Sequence, residues 1–467
     1  MFRNFLASIT RNGISIAGTA LAIASIVLII CLFFMEQLGF EGGPYLGILT
    51  YLILPVIFVT GLLLIPIGAI LYRRKLNRLH GDEHVPLLPV FDLNQPKTRR
   101  WLFILLGATM LNIVILAGAT YKGVEVMESV EFCGLACHSV MEPEHTAYQR
   151  SSHSRVACAE CHIGPGADWF VKSKLDGAWQ LVAVAFDLYP RPIPTPLHDL
   201  RPARETCEQC HWPNKFVGDK LSIRKRYEED ESNTELTTAL LLKVGGTEGE
   251  QSHGIHWHVD PGVQIRYRSD ASREEIYEVE YTNAAGETKL FADRRAPEGE
   301  GEWRQMDCVD CHNRPSHKYY PPAVEVDRAL RDGLIDRSLP FVKREGVRIL
   351  DAEYPSHEEA RTAISSELTS YYAENYPELA SSKAETINAA ADALGDLYSV
   401  NVFPQMQVWW NTYPEHIGHQ TSDGCFRCHG RRLRTEDREM ISQDCGTCHT
   451  LLAEKEQAPE ILTLLEP

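Results

Sequence analysis

Apolar and polar positions divide this chain into two unlike parts. Residues 15–35, 46–72 and 101–121 are apolar runs without Asp, Glu, Lys, Arg or His. A run of about 20 apolar residues can cross a hydrocarbon core as a helix. The first run is too long for the apolar part of a cleaved leader, and the chain soon re-enters the membrane. It is expected to be an uncleaved anchor. Beyond residue 122 the pattern changes. Residues 235–292 alternate apolar and polar positions, as in VQIRYRS and EIYEVEY, and NAAGE marks a hairpin turn. Residues 322–400 have helical spacing, and SHEE at 356–359 and SKAE at 382–385 both fit capping boxes.

Charge orients the apolar runs. Arg73, Arg74, Lys75, Arg78, Lys97, Arg99 and Arg100 lie between the second and third runs, and Arg3 and Arg11 precede the first. Between the first and second there are Glu36 and Glu41 and no Lys or Arg. Basic loops stay in the cytoplasm, so the N-terminus is expected inside and everything after Tyr121 in the periplasm. Residues 1–122 carry 10 Lys/Arg against 5 Asp/Glu; with 46 and 63 in the whole chain, residues 123–467 carry 36 against 58. That −22 balance argues against nucleic acid as a ligand and fits equally a basic protein partner or a charge that only keeps the domain soluble.

The cysteines carry the chemistry. Twelve of the thirteen fall in C-x-x-C-H or a close variant. The regular motifs are Cys158/Cys161/His162, Cys207/Cys210/His211, Cys308/Cys311/His312, Cys425/Cys428/His429 and Cys445/Cys448/His449. Cys133/Cys137/His138 has one extra residue between its cysteines. Two thiols at this spacing form thioethers to the vinyl groups on one porphyrin edge, and the adjacent His ligates the iron. Zinc sites and disulfides both leave the His after every second Cys without a reason. The remaining Cys31, inside the first run, is read as an apolar residue. Six covalently bound haems are therefore expected outside the cytoplasmic membrane.

The second axial ligands must come from elsewhere. His153, His198, His253, His256, His258, His317, His416 and His419 lie around the motifs and are the candidates. His145 is a further possibility, and His357 opens a predicted helix and is the poorest. His317 is five residues beyond His312, still on the near side of that haem, so it is expected to serve a different one. No apolar run contains a His, so none can hold a b-type haem through imidazole.

From residue 131 to about 220 the chain resembles the NapC/NirT/NrfH family of membrane-anchored quinol-oxidising cytochromes. The segments carrying the likeness are SSHSRVACAECH, CHIGPGADWFVKSKLDG, RPIPTPLHDLRPARETCEQCHW and CHNRPSH. With three apolar runs and six motifs, it is most similar to the larger inner-membrane cytochromes of metal-reducing bacteria. The resemblance implies oxidation of menaquinol and delivery of electrons to periplasmic carriers, a lysine-rich c-type cytochrome among them. It implies that Met141, three residues after His138 and slightly later than usual, ligates the first haem. It also implies that Lys174, twelve residues after His162, lies at the quinol. The family's acidic partner has no match, since Gln180 or Leu181 falls there; Asp168, Asp176 and Asp187 are the substitutes.

The expected fold is a membrane-anchored multihaem cytochrome: three transmembrane helices, then a haem-packed, mostly α or irregular periplasmic domain with a small β-rich insert. Its expected parts are a membrane anchor (1–122), a triple-haem region (123–220), the β-rich insert (221–305), a fourth haem segment (306–320), a helical region (321–400) and a two-haem C-terminal region (401–467). The expected function is menaquinol oxidation at the inner membrane. Its rivals are a terminal reductase with one open haem and an anchor subunit for a separate reductase.

Overall fold

Unbroken apolar sequence folds as long helices in the computed structural model, which describes residues 12–38, 46, 49–79, 93–136, 138–197, 200–212, 218–245, 254–260 and 262–465. The chain forms two compact units, Met1–Cys137 and His138–Pro467.

The first unit holds α1 (Gly13–Gln37), α2 (Leu54–Leu79) and α3 (Pro96–Glu128), each long and apolar enough to cross a membrane. The backbones of α1 and α2 approach closely because glycine meets glycine. A Cβ on Gly18 would lie 2.7 Å from the Gly61 carbonyl, and one on Gly61 equally close to the Gly18 carbonyl. Small residues at such crossings supply the van der Waals contact that lipid does not favour over itself. Nearby, the Ser15 hydroxyl donates to the Ile65 carbonyl at 2.8 Å, just before Pro66 inside α2. The helix α3 runs past the apolar stretch that ends at Tyr121. Nothing in KGVEVME breaks a helix, and Lys122 pairs with Glu125 at 3.1 Å one turn on.

The second unit begins with four helices: α4 (His138–Gln149), α5 (Cys158–His162), α6 (Ala167–Ala185) and α7 (Ala203–Cys207). Seven strands follow: β1 (Asp219–Tyr227), β2 (Glu235–Lys243), β3 (Gln264–Ser269), β4 (Ile276–Thr282), β5 (Thr288–Ala292), β6 (Glu302–Gln305) and β7 (His449–Glu456). They make two antiparallel sheets, ordered β1-β2-β7 and β5-β4-β3-β6. The β4–β5 hairpin turns at NAAGE, where the Asn283 side chain accepts from the Ala285 and Glu287 amides and Gly286 sits at φ 82°. The β-rich part is not closed on itself, because β7 begins at His449 of the last haem motif and pairs with β2, Leu451 opposite Leu240.

Residues 322–399 form a helical lobe with its own core. In its third helix, His357–Asn375, the apolar positions Ala360, Ile364, Leu368 and Tyr372 recur every fourth residue and are buried. Ser356 caps that helix, accepting from the Glu359 amide at 3.2 Å. The second expected box differs: Ser382 ends the helix Pro377–Ser382, and its hydroxyl donates back to the Glu378 carbonyl. Lys383 takes the cap position before Ala384 without a side-chain bond. Pro377 starts a separate short helix, so Ser382 falls at an end rather than a beginning.

Candidate haem-binding sites

Each regular motif folds as one helical turn, or nearly so. The amide of His211 donates to the Cys207 carbonyl at 2.8 Å, His312 to Cys308 at 2.8 Å and His429 to Cys425 at 3.0 Å. The second motif is the helix α5 itself. This turn puts the two cysteines on one side, three residues apart, with the histidine directly after. The last motif departs from it. Cys445–Cys448 is helical, but His449 is extended and becomes the first residue of β7. The described cysteines form no disulfide, and the described residues contain no group of three or more His, Cys, Asp or Glu able to hold a metal ion.

At the third motif protein does not enclose Cys210. Cys207 is half-buried, whereas Cys210 is exposed, and the exposure runs on through His211 and Trp212. The reason is its position: α7 ends at Cys207, and Cys210 lies in the turn beyond it, its amide donating to the Cys207 carbonyl at 3.1 Å. Cys161, Cys425 and Cys445 are likewise the exposed members of their pairs. A thioether needs only reach and spacing, not an enclosing pocket, so Cys210 keeps the geometry of an attachment residue without the burial.

Five motif histidines each face a histidine from outside the motifs. Ring centres are 6.2 Å apart for His162–His317, 5.9 Å for His211–His153, 6.4 Å for His312–His256, 5.7 Å for His429–His258 and 6.3 Å for His449–His419. A metal between two imidazoles, with bonds of about 2 Å and each ring centre about 1 Å behind its nitrogen, sets the centres about 6 Å apart. The residues therefore fit a six-coordinate iron at each pair.

Hydrogen bonds fix the tautomer of the outer rings. Nδ1 of His153 lies 3.3 Å from the Pro315 carbonyl, that of His256 3.1 Å from Val244, that of His258 2.8 Å from Ile255 and that of His317 3.0 Å from Glu144. A carbonyl only accepts, so each Nδ1 carries the proton and each Nε2 keeps its lone pair for a metal. Partial burial lowers the pKa of His256, His258 and His317, which favours their neutral form.

The motifs also neighbour one another in chain order. Burial raises the Cys161 thiol, and Cys207 of the third motif raises it further. Cys207 in turn hydrogen-bonds Cys308 of the fourth. Burial, with Cys425 and Cys428 adding to it, pushes Cys311 up to about 12. Burial and Cys425 together raise Cys448 of the last motif. Contacts between peptide segments match this order. The Ala203 amide donates to Asp307 at 2.9 Å, and the Arg427 guanidinium donates to the Asp310 carbonyl at 2.5 Å.

Other candidates lie elsewhere. His416 is buried, with Nδ1 3.2 Å from the Asp310 carbonyl and Nε2 2.7 Å from Glu274. Both ring nitrogens have protein partners, so none is left for iron, and the expectation of a ligand there is corrected. His145 stacks on Tyr148, and His357 bonds the Val402 carbonyl at 2.6 Å. Cys137, His198 and His253 lie outside the described residues. The first motif places Cys133 in one unit and opens α4 of the other with His138. Met141 packs against the cluster of Val140, Tyr319, Phe403 and Met406.

Lys174 sits on α6 with its ammonium 4.7 Å from the centre of the Phe170 ring. Asp176 is two residues on and Asp168 six back along one continuous helix. At about 100° per residue neither is centred on the helix face that carries Lys174. Asp187 is bonded by Arg191, which holds its carboxyl below the usual range. Val171, Leu175, Trp179, Val182 and Phe186 form an exposed apolar stripe along α6 and its end.

Several site residues gave no sequence signal. Glu144 reaches His317, Tyr267 bonds buried Asp310 inside the fourth motif, and Phe426 inside the fifth stacks on His419 at 4.6 Å. They have no spacing rule, because tertiary packing alone brings them there.

Helical C-x-x-C-H turns facing second histidines, preceded in the chain by three membrane-capable helices, define a membrane-anchored c-type cytochrome with covalently bound haem. The model of the NapC/NirT cytochrome c family, N-terminal region, matches residues 95–190. The chain is 43% identical over 457 residues to cytochrome c-type protein ImcH of Geobacter sulfurreducens, covering 96% of this chain and 90% of that protein. It is 30% identical over 92 residues to cytochrome c-type protein TorC of Escherichia coli, 18% of this chain and 23% of that one. The chain belongs to the NapC/NirT family of membrane cytochromes c. No solved structure matches it.

Proposed function

We propose that this protein oxidises menaquinol and passes the electrons to a lysine-rich periplasmic c-type cytochrome, as the inner-membrane conduit of an anaerobic, metal-type respiration. The observation that carries the reading is the set of five histidine pairs at 5.7 to 6.4 Å. It supports bis-imidazole ligation at His162/His317, His211/His153, His312/His256, His429/His258 and His449/His419. A sixth haem belongs at Cys133/Cys137/His138, with Met141 its candidate second ligand. Bound haem iron supplies one-electron exchange between its ferrous and ferric states.

The chain's own residues supply the rest. Paired imidazoles would hold the iron from both sides, which suits electron transfer and would leave no position at the metal for a substrate. The neighbouring of consecutive motifs supports a single file from the second to the sixth. The exposed stripe of Val171, Leu175, Trp179, Val182 and Phe186 suits contact with lipid. Lys174 at the edge of that stripe is positioned to donate to a quinol oxygen. Each menaquinol yields two electrons and two protons. The apolar runs contain no Asp, Glu, Lys, Arg or His to carry a proton inward, so both protons leave on the periplasmic side.

Purified full-length protein tests the reading. Intact mass should exceed that of the polypeptide by six haems, and menaquinol should reduce the protein. Lys174→Ala should slow that reduction roughly tenfold or more, the worth of one hydrogen bond from a charged group at about 1.5–3 kcal/mol, with haem content and reduction by dithionite intact. Equal menaquinol rates in wild type and variant would remove Lys174 from the site. Failure of menaquinol to reduce the wild type would reject the function.

A further inference from the structure

The nitrogen facing away from the metal is treated differently at each histidine pair, and the last pair stands apart. At the second motif, Nδ1 of His317 lies 3.0 Å from the Glu144 carboxylate as well as 3.0 Å from its carbonyl. At the fifth motif both rings are bonded, His258 to the Ile255 carbonyl at 2.8 Å and His429 to the Ser442 carbonyl at 2.7 Å. At the third and fourth motifs the outer ring is bonded, His153 to Pro315 and His256 to Val244. At the last motif, Nδ1 of His449 is buried with no hydrogen-bond partner. His419 has no hydrogen-bond acceptor among the described residues; Phe426 holds its ring by stacking at 4.6 Å.

These contacts bear directly on redox potential. An imidazole whose Nδ1–H donates to a carbonyl or carboxylate is a stronger electron donor through its other nitrogen. A stronger donor favours ferric iron and lowers the potential; a ligand without that bond does the opposite. Water does not replace the missing acceptor at His449, because that nitrogen is closed off from solvent. The backbone is also unusual there: His449 has left the helical turn to begin β7.

We infer that His419 and His449 give the haem of the last motif the highest reduction potential of the five bis-imidazole haems, so that electrons collect at the C-terminal end of the file. The inference rests on the bis-imidazole reading above. Glu144 acts in the opposite sense as a positioning residue, holding the haem of the second motif low through His317.

The test is a redox titration of the full-length protein, followed by visible absorption and by the low-spin ferric signals in electron paramagnetic resonance. Cys445→Ala with Cys448→Ala removes one haem, and the component lost should be the first to reduce among the five that give bis-imidazole signals. His419→Met keeps that haem and should raise a single component, the same one, because a thioether is a weaker donor than imidazole. Glu144→Gln should raise a different component, one that reduces late. Loss of a component from the middle or the low end would overturn the inference. So would an upward shift in His419→Met of any component other than the one lost in the double-cysteine variant. A high-spin or methionine-type signal from the last haem of the wild type would instead reject the bis-imidazole reading at that site, and the inference with it.

Discussion

His416 and His419 stand three residues apart before the same motif, and nothing in their sequence context separates them. The structure gives them different work. His419 faces His449, whereas His416 ties the Asp310 carbonyl to Glu274 and accepts no motif histidine as neighbour. The motif cysteines and histidines were readable because their chemistry is local: two thioethers and one imidazole within five residues. The outer ligands were readable only as a pool of histidines, since His153 reaches the third motif from just before the second, and His317 reaches the second from just after the fourth. Substituting His416 tests the distinction. His416→Leu should leave haem content and the low-spin spectrum unchanged and cost about 1–3 kcal/mol of stability, the range for stranding a buried polar partner. Thermal unfolding and ferric spectra measure both. His317→Ala should instead alter the haem at Cys158/Cys161.

Among the elements, the turn Ile255–Val259 carries the most function for its length. It presents His256 to one motif and His258 to the next, with Trp257 between them packed on Tyr281. Gly254 makes the turn possible. It sits at φ 82°, and a Cβ there would come within 2.5 Å of the Lys243 carbonyl and 2.8 Å of Gly245. Gly254→Ala should therefore disturb both outer ligands together, giving high-spin character at the Cys308/Cys311 and Cys425/Cys428 haems while the other spectra stay as they are. Disturbance of one haem alone would show that the two ligands are held independently. The strands around this turn were readable from alternation in VQIRYRS and EIYEVEY. Strand β7 was not, because its burial follows from pairing with distant β2 rather than from its own pattern. The box at Ser382 misled for a related reason, since a capping motif does not say which helix it caps.

For the molecule as a whole, charge is the property a partner meets first. The −22 balance beyond residue 122 should attract a basic cytochrome over distances that salt shortens, from about 10 Å at 0.1 M to about 3 Å at 1 M. Stopped-flow transfer to a lysine-rich cytochrome should slow about tenfold or more across that range; a flat rate would mean that steering plays no part. The anchor was legible because lipid demands unbroken apolar sequence, and the extension of α3 to Glu128 was not, because a helix may outlast the membrane that required it. The histidine pairs have one more consequence. His153–His211 overlaps His162–His317 along the chain, His256–His312 overlaps His258–His429, and the latter overlaps His419–His449. Iron bridges at these places would be interleaved clasps, each closing a loop that holds one end of another. Such a chain could be nicked by a protease in an exposed connection and still not come apart, and the clasp of the second motif would have to wait for His317, beyond the fourth.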